Sequence, residues 1–378
     1  MKYFLSRIFN QNRDIQNIDV DKDREFLNKF SEPHSDTQRS LYQYYCQRSW
    51  QSRKIKIFTD LIASLLYLPL LIVLMTFSLQ RIKIVYKNSI FWNKLGSDIV
   101  PETIQRKYTP TFINEKEIGF LKKEDILYIF NILKEVGFHP MFLMKVTLRI
   151  SFYRKLIEKY KPNYIIATAE YSYTSSILTY YCEKNEIKHI NIMHGEKLYD
   201  ITDSFFRFTN FYVWDKHYIN LFIKLRAEKS QFIIELPKLM TLKSFSSPKN
   251  RIDYKIYLDS IDEEQIKTLK IIIDRINKKK FSIIIRPHPV YTNLKLLKKY
   301  VSNIYIEDFS EISIEESLFT TNNVIAKYST VLNQAYHLNV NVVIDDISNK
   351  KIYQALKDLD YIMLRYPHEL LSKIIGQV

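Results

Sequence analysis

The sequence predicts an α/β protein: two domains of alternating strands and helices behind an N-terminal helical, membrane-associating extension. Three observations predict it. From residue 82 onward, short apolar runs alternate with amphipathic stretches of roughly 10–15 residues, the rhythm of parallel βαβ units. That rhythm breaks once, over 236–250, where Pro237, Pro248 and the serines Ser244, Ser246 and Ser247 interrupt it, and then restarts. Ahead of both lies 61–79, LIASLLYLPLLIVLMTFSL, 19 residues without a charge. The division that follows is 1–80 for the extension, 81–240 for one Rossmann-like domain and 251–378 for a second. A length of 378 residues agrees, being too much for one average domain.

The elements follow in order. Residues 1 to about 56 are charged and helix-permissive, and Arg48, Arg53, Lys54 and Lys56 lead into the uncharged run. Its length just reaches the ~20 residues that span a bilayer. Arg81, Lys83 and Lys87 follow it, and positive charge on both flanks chooses no orientation. A segment dipping into one leaflet with Pro69 at the bend, or a helix on the membrane surface, fits best; a single span and a buried core helix are the alternatives. In the first domain the pattern predicts a strand over 82–86, a turn at Gly96-Ser97-Asp98, and a helix over 126–136 with Gly137 as its C-cap. A helix over 141–160 stops at Lys161-Pro162, then come strand 164–167, helix 172–183 and strand 188–193. Strands 211–214 and 232–235 flank a helix over 216–225. The second domain reads as strand 255–258, helix 263–278, strand 282–285, helix 294–300, strand 304–306 and helix 314–318. Strand 324–326, helix 330–338 and strand 340–344 complete it, with two helical patches after 351.

Composition excludes several classes. The net charge of +15 is spread along the chain, a lysine-rich surface or an attraction to nucleotide phosphates and an anionic membrane. No nucleic-acid module accompanies it, so nucleic acid is not an expected partner. Cys46 and Cys182 are isolated, which builds neither a disulfide framework nor a zinc site and suits a reducing, cytoplasmic setting. The N-terminus is polar after Ile8, unlike a secretory signal. With five glycines there is no Walker-type or GxGxxG loop, so phosphate has to be held by helix N-termini and side chains.

In an open α/β sheet, ligands bind beyond the carboxyl ends of the strands. Three motifs sit there. Ile283-Ile284-Ile285-Arg286-Pro287-His288-Pro289 ends a strand in a basic residue and a histidine held extended between prolines. Arg286 and His288 are positioned to stabilise negative charge on a departing phosphate; a turn of purely structural value, with a cis proline, is the alternative. Val324-Ile325-Ala326-Lys327-Tyr328-Ser329-Thr330 ends a strand in hydroxyls that open a helix, and Ser329, Thr330 and its free N–H groups suit an anion. His194-Gly195-Glu196 ends a strand of the first domain, with Gly195 expected to allow a tight turn or close approach. His194 is a candidate base near neutral pH, and Glu196 orients it or takes that role itself. Between the two motifs of the second domain lie Glu307-Asp308, Glu311 and Glu315-Glu316, carboxylates suited to ribose hydroxyls, Glu316 being the one assigned to the nucleotide. Asp345-Asp346 lacks the further ligands a metal needs, so neither a metal nor a cofactor is expected.

Together, the two α/β domains, the His-Gly turn, Arg-Pro-His-Pro and the Tyr-Ser-Thr helix start resemble the GT-B fold transferases of bacterial surface polysaccharides, over about residues 80–378. In motif order the likeness is to the teichoic-acid type glycerophosphotransferases, which use CDP-activated polyols, and to the bacterial sialyltransferases and Kdo-transferases, which use CMP-sugars. The resemblance implies that His288, Ser329 and Thr330 contact the donor phosphate and that His194 acts on the acceptor hydroxyl. Glu196 stands where the glycerophosphotransferases usually have Thr, and the acidic motif of the sialyltransferases has no clean counterpart, though Asp200 and Asp203 lie close by. The expected activity is a metal-independent glycosyltransferase taking sugar from a nucleotide-activated donor, CMP-sugar favoured. It would act on a lipid-linked or growing capsule or LPS-type glycan at the cytoplasmic face of the bacterial inner membrane. A CDP-polyol phosphotransferase, or a non-catalytic scaffold of polysaccharide assembly, is the alternative.

Overall fold

The computed structural model describes residues 13–77, 82–92, 97–116, 118–241, 251–301 and 303–376. The chain divides into two compact units: 19–194 with 199–237 make the first, and 14–18, 195–198 and the residues from 238 onward make the second.

The sheet of the first unit contains β1 (Ser89–Trp92), β2 (Thr111–Ile113), β3 (Tyr164–Ala167), β4 (Lys188–Ile192), β5 (Asn210–Val213) and β6 (Phe232–Ile234). Its order is β2-β1-β3-β4-β5-β6, every neighbouring pair parallel. A parallel sheet is covered on both faces, so its strands are runs of apolar residues rather than alternations: Ile90, Phe91, Ile165, Ile166, Ile190 and Phe211 are all fully buried. The helix Pro140–Tyr160 covers one face through Phe142, Val146, Ile150 and Leu156. Proline at its first turn needs no N–H partner there, and Lys161, at φ 48° before Pro162, stops it. Gly119 lets the preceding loop lie on this helix, since a Cβ there would stand 1.9 Å from the Ser151 carbonyl oxygen.

The N-terminal helices Val20–Leu27, Asp36–Arg48 and Arg53–Thr76 belong to this unit, Leu41, Tyr44 and Leu74 sharing one core with Phe142 and Ile150. Helix Arg53–Thr76 runs through Pro69 without interruption, so the expected bend there is not made. It is long and apolar enough to cross a membrane by length and composition. Ala63, Tyr67, Leu70 and Leu74 pack inward, whereas Phe58, Leu61, Leu65, Leu68, Ile72 and Met75 form an exposed stripe. The strand expected at 82–86 is displaced to β1: Val85 and Lys87 instead donate their N–H groups to Lys159 and Tyr160 at the end of helix Pro140–Tyr160. Gly96 of the expected turn lies outside the described residues, and Ser97–Ile99 is a short 3-10 turn.

The second unit contains β7 (Ile252–Tyr257), β8 (Ile283–Arg286), β9 (Thr321–Ala326), β10 (Asn341–Ile344) and β11 (Glu369–Leu370), ordered β11-β10-β9-β7-β8 and again parallel throughout. The helix Glu263–Lys278 starts on a capping box between Asp262 and Gln265 and buries Ile266, Leu269, Ile273 and Ile276 against the sheet. The strand expected over 304–306 is reduced to one bridge, Ile285 to Ile306. Most of the interdomain stretch, 242–250, lies outside the described residues.

Both sheets share one topological feature. The chain lays its second strand on one side of the first and its third strand on the other, so the order reverses between β1 and β3 and between β7 and β9. Ligands of such sheets bind at the carboxyl ends of the strands flanking that reversal.

Candidate functional site

In the first unit the residues just past β3 and β4 build a cavity of about 380 Å³, with Trp92 of β1 on its wall. His194, two residues beyond β4, lines it. Its Nδ1 stands 3.5 Å from Oε1 of Glu170, a fully buried carboxylate three residues beyond β3. The separation is long for a hydrogen bond, as such pairs often are before substrate tightens them. Asn191 fixes the carboxylate: its Nδ2 donates to Glu170 Oε2 at 2.9 Å and its Oδ1 accepts from the Ala169 N–H at 2.7 Å. A carboxylate on Nδ1 favours the proton there and leaves Nε2 able to accept one. No sequence motif marks Glu170; its role depends on a neighbouring strand.

The second unit holds a histidine of the opposite kind. His288 Nδ1 accepts the backbone N–H groups of Val290 and Tyr291 at 3.1 and 3.2 Å, and the ring stacks on Tyr291. A nitrogen that accepts carries no proton, so the neutral ring keeps its proton on Nε2 and donates from there. Burial pushes the His288 pKa down, Asp259 acting weakly in the opposite sense. The turn is locked by Thr292, whose Oγ1 accepts from the His288 N–H and donates to the Asp259 carbonyl, both at 2.8 Å. All peptide bonds here are trans. Beside it, at the end of β9, lies Lys327, buried with its Nζ 2.8 Å from Asp259 Oδ1. Lys327 belongs to the motif read in the sequence, yet only its hydroxyl neighbours were assigned there. Ser329 caps the helix Thr330–His337, accepting the Val331 N–H at 3.3 Å.

The other expected site residues are placed as follows. Glu196 lies with the second unit: its N–H donates to Thr330 Oγ1 at 3.3 Å, its carbonyl accepts from Tyr328, and its Oε2 accepts from Asn333 Nδ2 at 3.3 Å. That spends the Thr330 hydroxyl on backbone and sets the Glu196 carboxylate on the helix's first turn. Gly195 needs no glycine for space, a Cβ there meeting nothing nearer than Thr330 Oγ1 at 4.0 Å. Arg286 is corrected from phosphate ligand to structural cation. Its Nη1 donates to the buried Glu307 Oε2 at 2.6 Å and its Nη2 to the Ile312 carbonyl at 2.8 Å. Glu307 also takes Lys255 Nζ at 2.5 Å and the Ser317 hydroxyl. Burial raises its pKa, but the bonds from Lys255, Ser317 and Arg286 bring it below the ordinary carboxylate value. Glu307 is therefore spent inside the fold. Glu316 is exposed on the first turn of the helix Ile314–Phe319, its N–H on Ser313 Oγ. Asp345 and Asp346 serve loops, binding Ser348 and Ser372.

No family model and no curated protein matches the chain. Similar solved structures include the S. aureus MnaA–UDP co-structure, with TM-score 0.46 and 11% identity over 72% of this chain and 87% of that one. The wall teichoic acid polymerase TagF gives 0.44 and 11%, over 75% of this chain and 76% of that chain. The UDP-GlcNAc 2-epimerase from Neisseria meningitidis bound to UDP-GlcNAc gives 0.43 and 11%, over 77% and 94%. The likeness is distant and one of fold: two parallel Rossmann-like sheets, as in GT-B enzymes.

Proposed function

We propose that this chain is a GT-B-type glycosyltransferase, moving a sugar from a nucleotide-activated donor to a hydroxyl of a lipid-linked or growing surface glycan. The observation that carries it is the pair of opposite histidines, one arranged to accept a proton and one to donate a hydrogen bond, each at a sheet's switch point. His194 Nε2 takes the proton of the acceptor hydroxyl while Glu170 steadies the imidazolium. The acceptor oxygen bonds to the anomeric carbon as the bond from that carbon to the nucleotide phosphate breaks. The departing phosphate receives the His288 Nε2–H, the Lys327 charge and the N-terminal amides of the helix Thr330–His337.

The test is donor binding followed by product mass. CMP, CDP and UDP are titrated into the full chain by calorimetry, CMP first. Binding by one of them that weakens at least tenfold in Lys327→Met supports a donor site in the second unit. A chain that binds none of the three is a scaffold, and the proposal fails. A product heavier by a sugar residue supports glycosyl transfer; one heavier by a polyol phosphate replaces it with phosphotransfer.

We also propose that the stripe Phe58, Leu61, Leu65, Leu68, Ile72, Met75 lies on the cytoplasmic leaflet of the inner membrane. The opposite face of that helix is docked on its own unit, and Asp60 near its start is held by Arg48 at 2.7 Å, which suits a helix lying in the interface better than a span. Arg53, Lys54 and Lys56 open the helix and Lys83 and Lys87 follow it, matching anionic headgroups. Sedimentation with phosphatidylglycerol-containing vesicles should fall several-fold in Leu65→Glu/Leu68→Glu. Equal sedimentation of that variant, or a dimer that the substitutions split, overturns the assignment.

A further inference from the structure

The cavity of the first unit has a wall that proton transfer by His194 does not use. Lys145 and Arg149 stand one turn apart on the helix Pro140–Tyr160 and line the same cavity as His194. Lys145 Nζ lies 4.1 Å from the centre of the Tyr173 ring, and the Arg149 guanidinium carbon lies 5.1 Å from that of Trp92. A cation seated on a ring face is held in place with its charge intact. Arg154, further along the same helix, is treated differently: its Nε and Nη2 donate to the Asp125 carboxylate at 2.9 and 2.6 Å, and the pair is neutral as a whole. No aspartate or glutamate lines the cavity, and the hydroxyls of Ser172, Thr174 and Ser175 complete its polar lining at the start of the helix Ser175–Lys184. Two fixed cations and three hydroxyls in a concave wall raise the local concentration of anions.

We infer that the acceptor carries an anionic group, a phosphate or a carboxylate, which Lys145 and Arg149 hold while its hydroxyl meets His194. The inference rests on the proposed acceptor role of the first unit and adds the chemical class of the acceptor. The cavity volume of about 380 Å³ matches one charged sugar or polyol phosphate, the terminal residue of a longer chain. Arginine offers such a group a planar fork and lysine a point charge, a pairing that suits tetrahedral phosphate and flat carboxylate alike.

The test is a calorimetric titration of the full chain with glycerol 3-phosphate, glucuronate and, as the neutral probe, glucose. At least one anion should bind tenfold or more tightly than glucose, and the stronger of the two names the group. Lys145→Gln/Arg149→Gln should abolish that preference, while Lys145→Arg keeps it. Equal affinity for all three probes, binding of none, or an anion preference unchanged in the double variant overturns the inference. Unaltered nucleotide binding and an unaltered thermal midpoint show that the double variant is folded. The titration involves no turnover, so its failure is separate from a failure of His194 as base, which the transfer assay decides.

Discussion

The two switch points use the same side chain in opposite senses. Past β4 the ring of His194 has a buried carboxylate on Nδ1; past β8 the ring of His288 has two backbone N–H groups there. The first arrangement stabilises an imidazolium and so makes a base. The second is lost on protonation, because both backbone donors would then face an N–H, so His288 remains a neutral donor. The difference is one of surroundings alone, and it assigns proton removal to one unit and charge stabilisation to the other. The cations differ likewise: Lys145 and Arg149 rest on aromatic rings in the first unit, whereas Lys327 is held by Asp259 in the second.

The comparison breaks most directly at its base. His194→Ala should lower kcat by about 10²–10⁴-fold, with nucleotide affinity in calorimetry unchanged. Glu170→Gln should lower kcat by a smaller factor and displace the acid limb of the pH profile, which a merely structural residue would leave in place. Wild-type turnover in His194→Ala removes the first half of the comparison. His288→Ala addresses the second half, where loss of one preorganised donor costs roughly 10²–10³-fold in kcat; an unchanged rate there returns the Pro-His-Pro turn to a structural role. Arg286→Met separates the two cations of that strand end. Removing one partner of a buried pair costs about 3–5 kcal/mol, so urea unfolding should show a large loss while folded protein binds nucleotide as before. Weaker nucleotide binding with unchanged stability would restore Arg286 to the phosphate.

Where the sequence carried strong periodicity, it could be read to the residue. The strand Tyr164–Ala167 and the helices Glu263–Lys278 and Leu294–Tyr300 fall at their expected bounds, since each couples an apolar period to a clear stop or cap. Ile82-Lys83-Ile84-Val85-Tyr86 has the composition of a strand, but its amides are taken by the end of a helix, a contact no local pattern reveals. The three residues of β2 are too few to carry a period at all. At the site, His194 and His288 were legible because each follows a strand directly. Glu170 was not, because its meaning comes from Asn191 on the adjacent strand and from His194 itself. Arg286 was misjudged because the carboxylate that claims it, Glu307, reaches the sheet only through a loop twenty-one positions later. Position along the chain was readable; the partner of a charged group was not.

A third histidine sets the limit of the comparison. His189, on β4 and wholly buried, has Tyr153 O–H and Thr179 Oγ1 at 2.9 and 2.8 Å on its two ring nitrogens. Thr179 gives its own proton to backbone carbonyls, so it accepts from Nδ1–H, and Nε2 accepts from Tyr153. Burial pushes the His189 pKa down to about 3, the Arg207 charge acting in the same direction. The folded ring stays neutral at every ordinary pH, whereas the unfolded ring takes up a proton below about 6.5. Unfolding therefore absorbs a proton between those values, and stability, complete above about 6.5, falls as the pH falls. The slope from this ring is about 1.4 kcal/mol per pH unit. Urea unfolding at pH 7.5, 6.0 and 5.0 should show it, and His189→Gln should flatten it while leaving the acid limb of turnover with His194. A variant that keeps the full slope would mean that His189 is not the group responsible. One that shifts the turnover limb instead would mean that the buried ring, rather than His194, reports on the reaction.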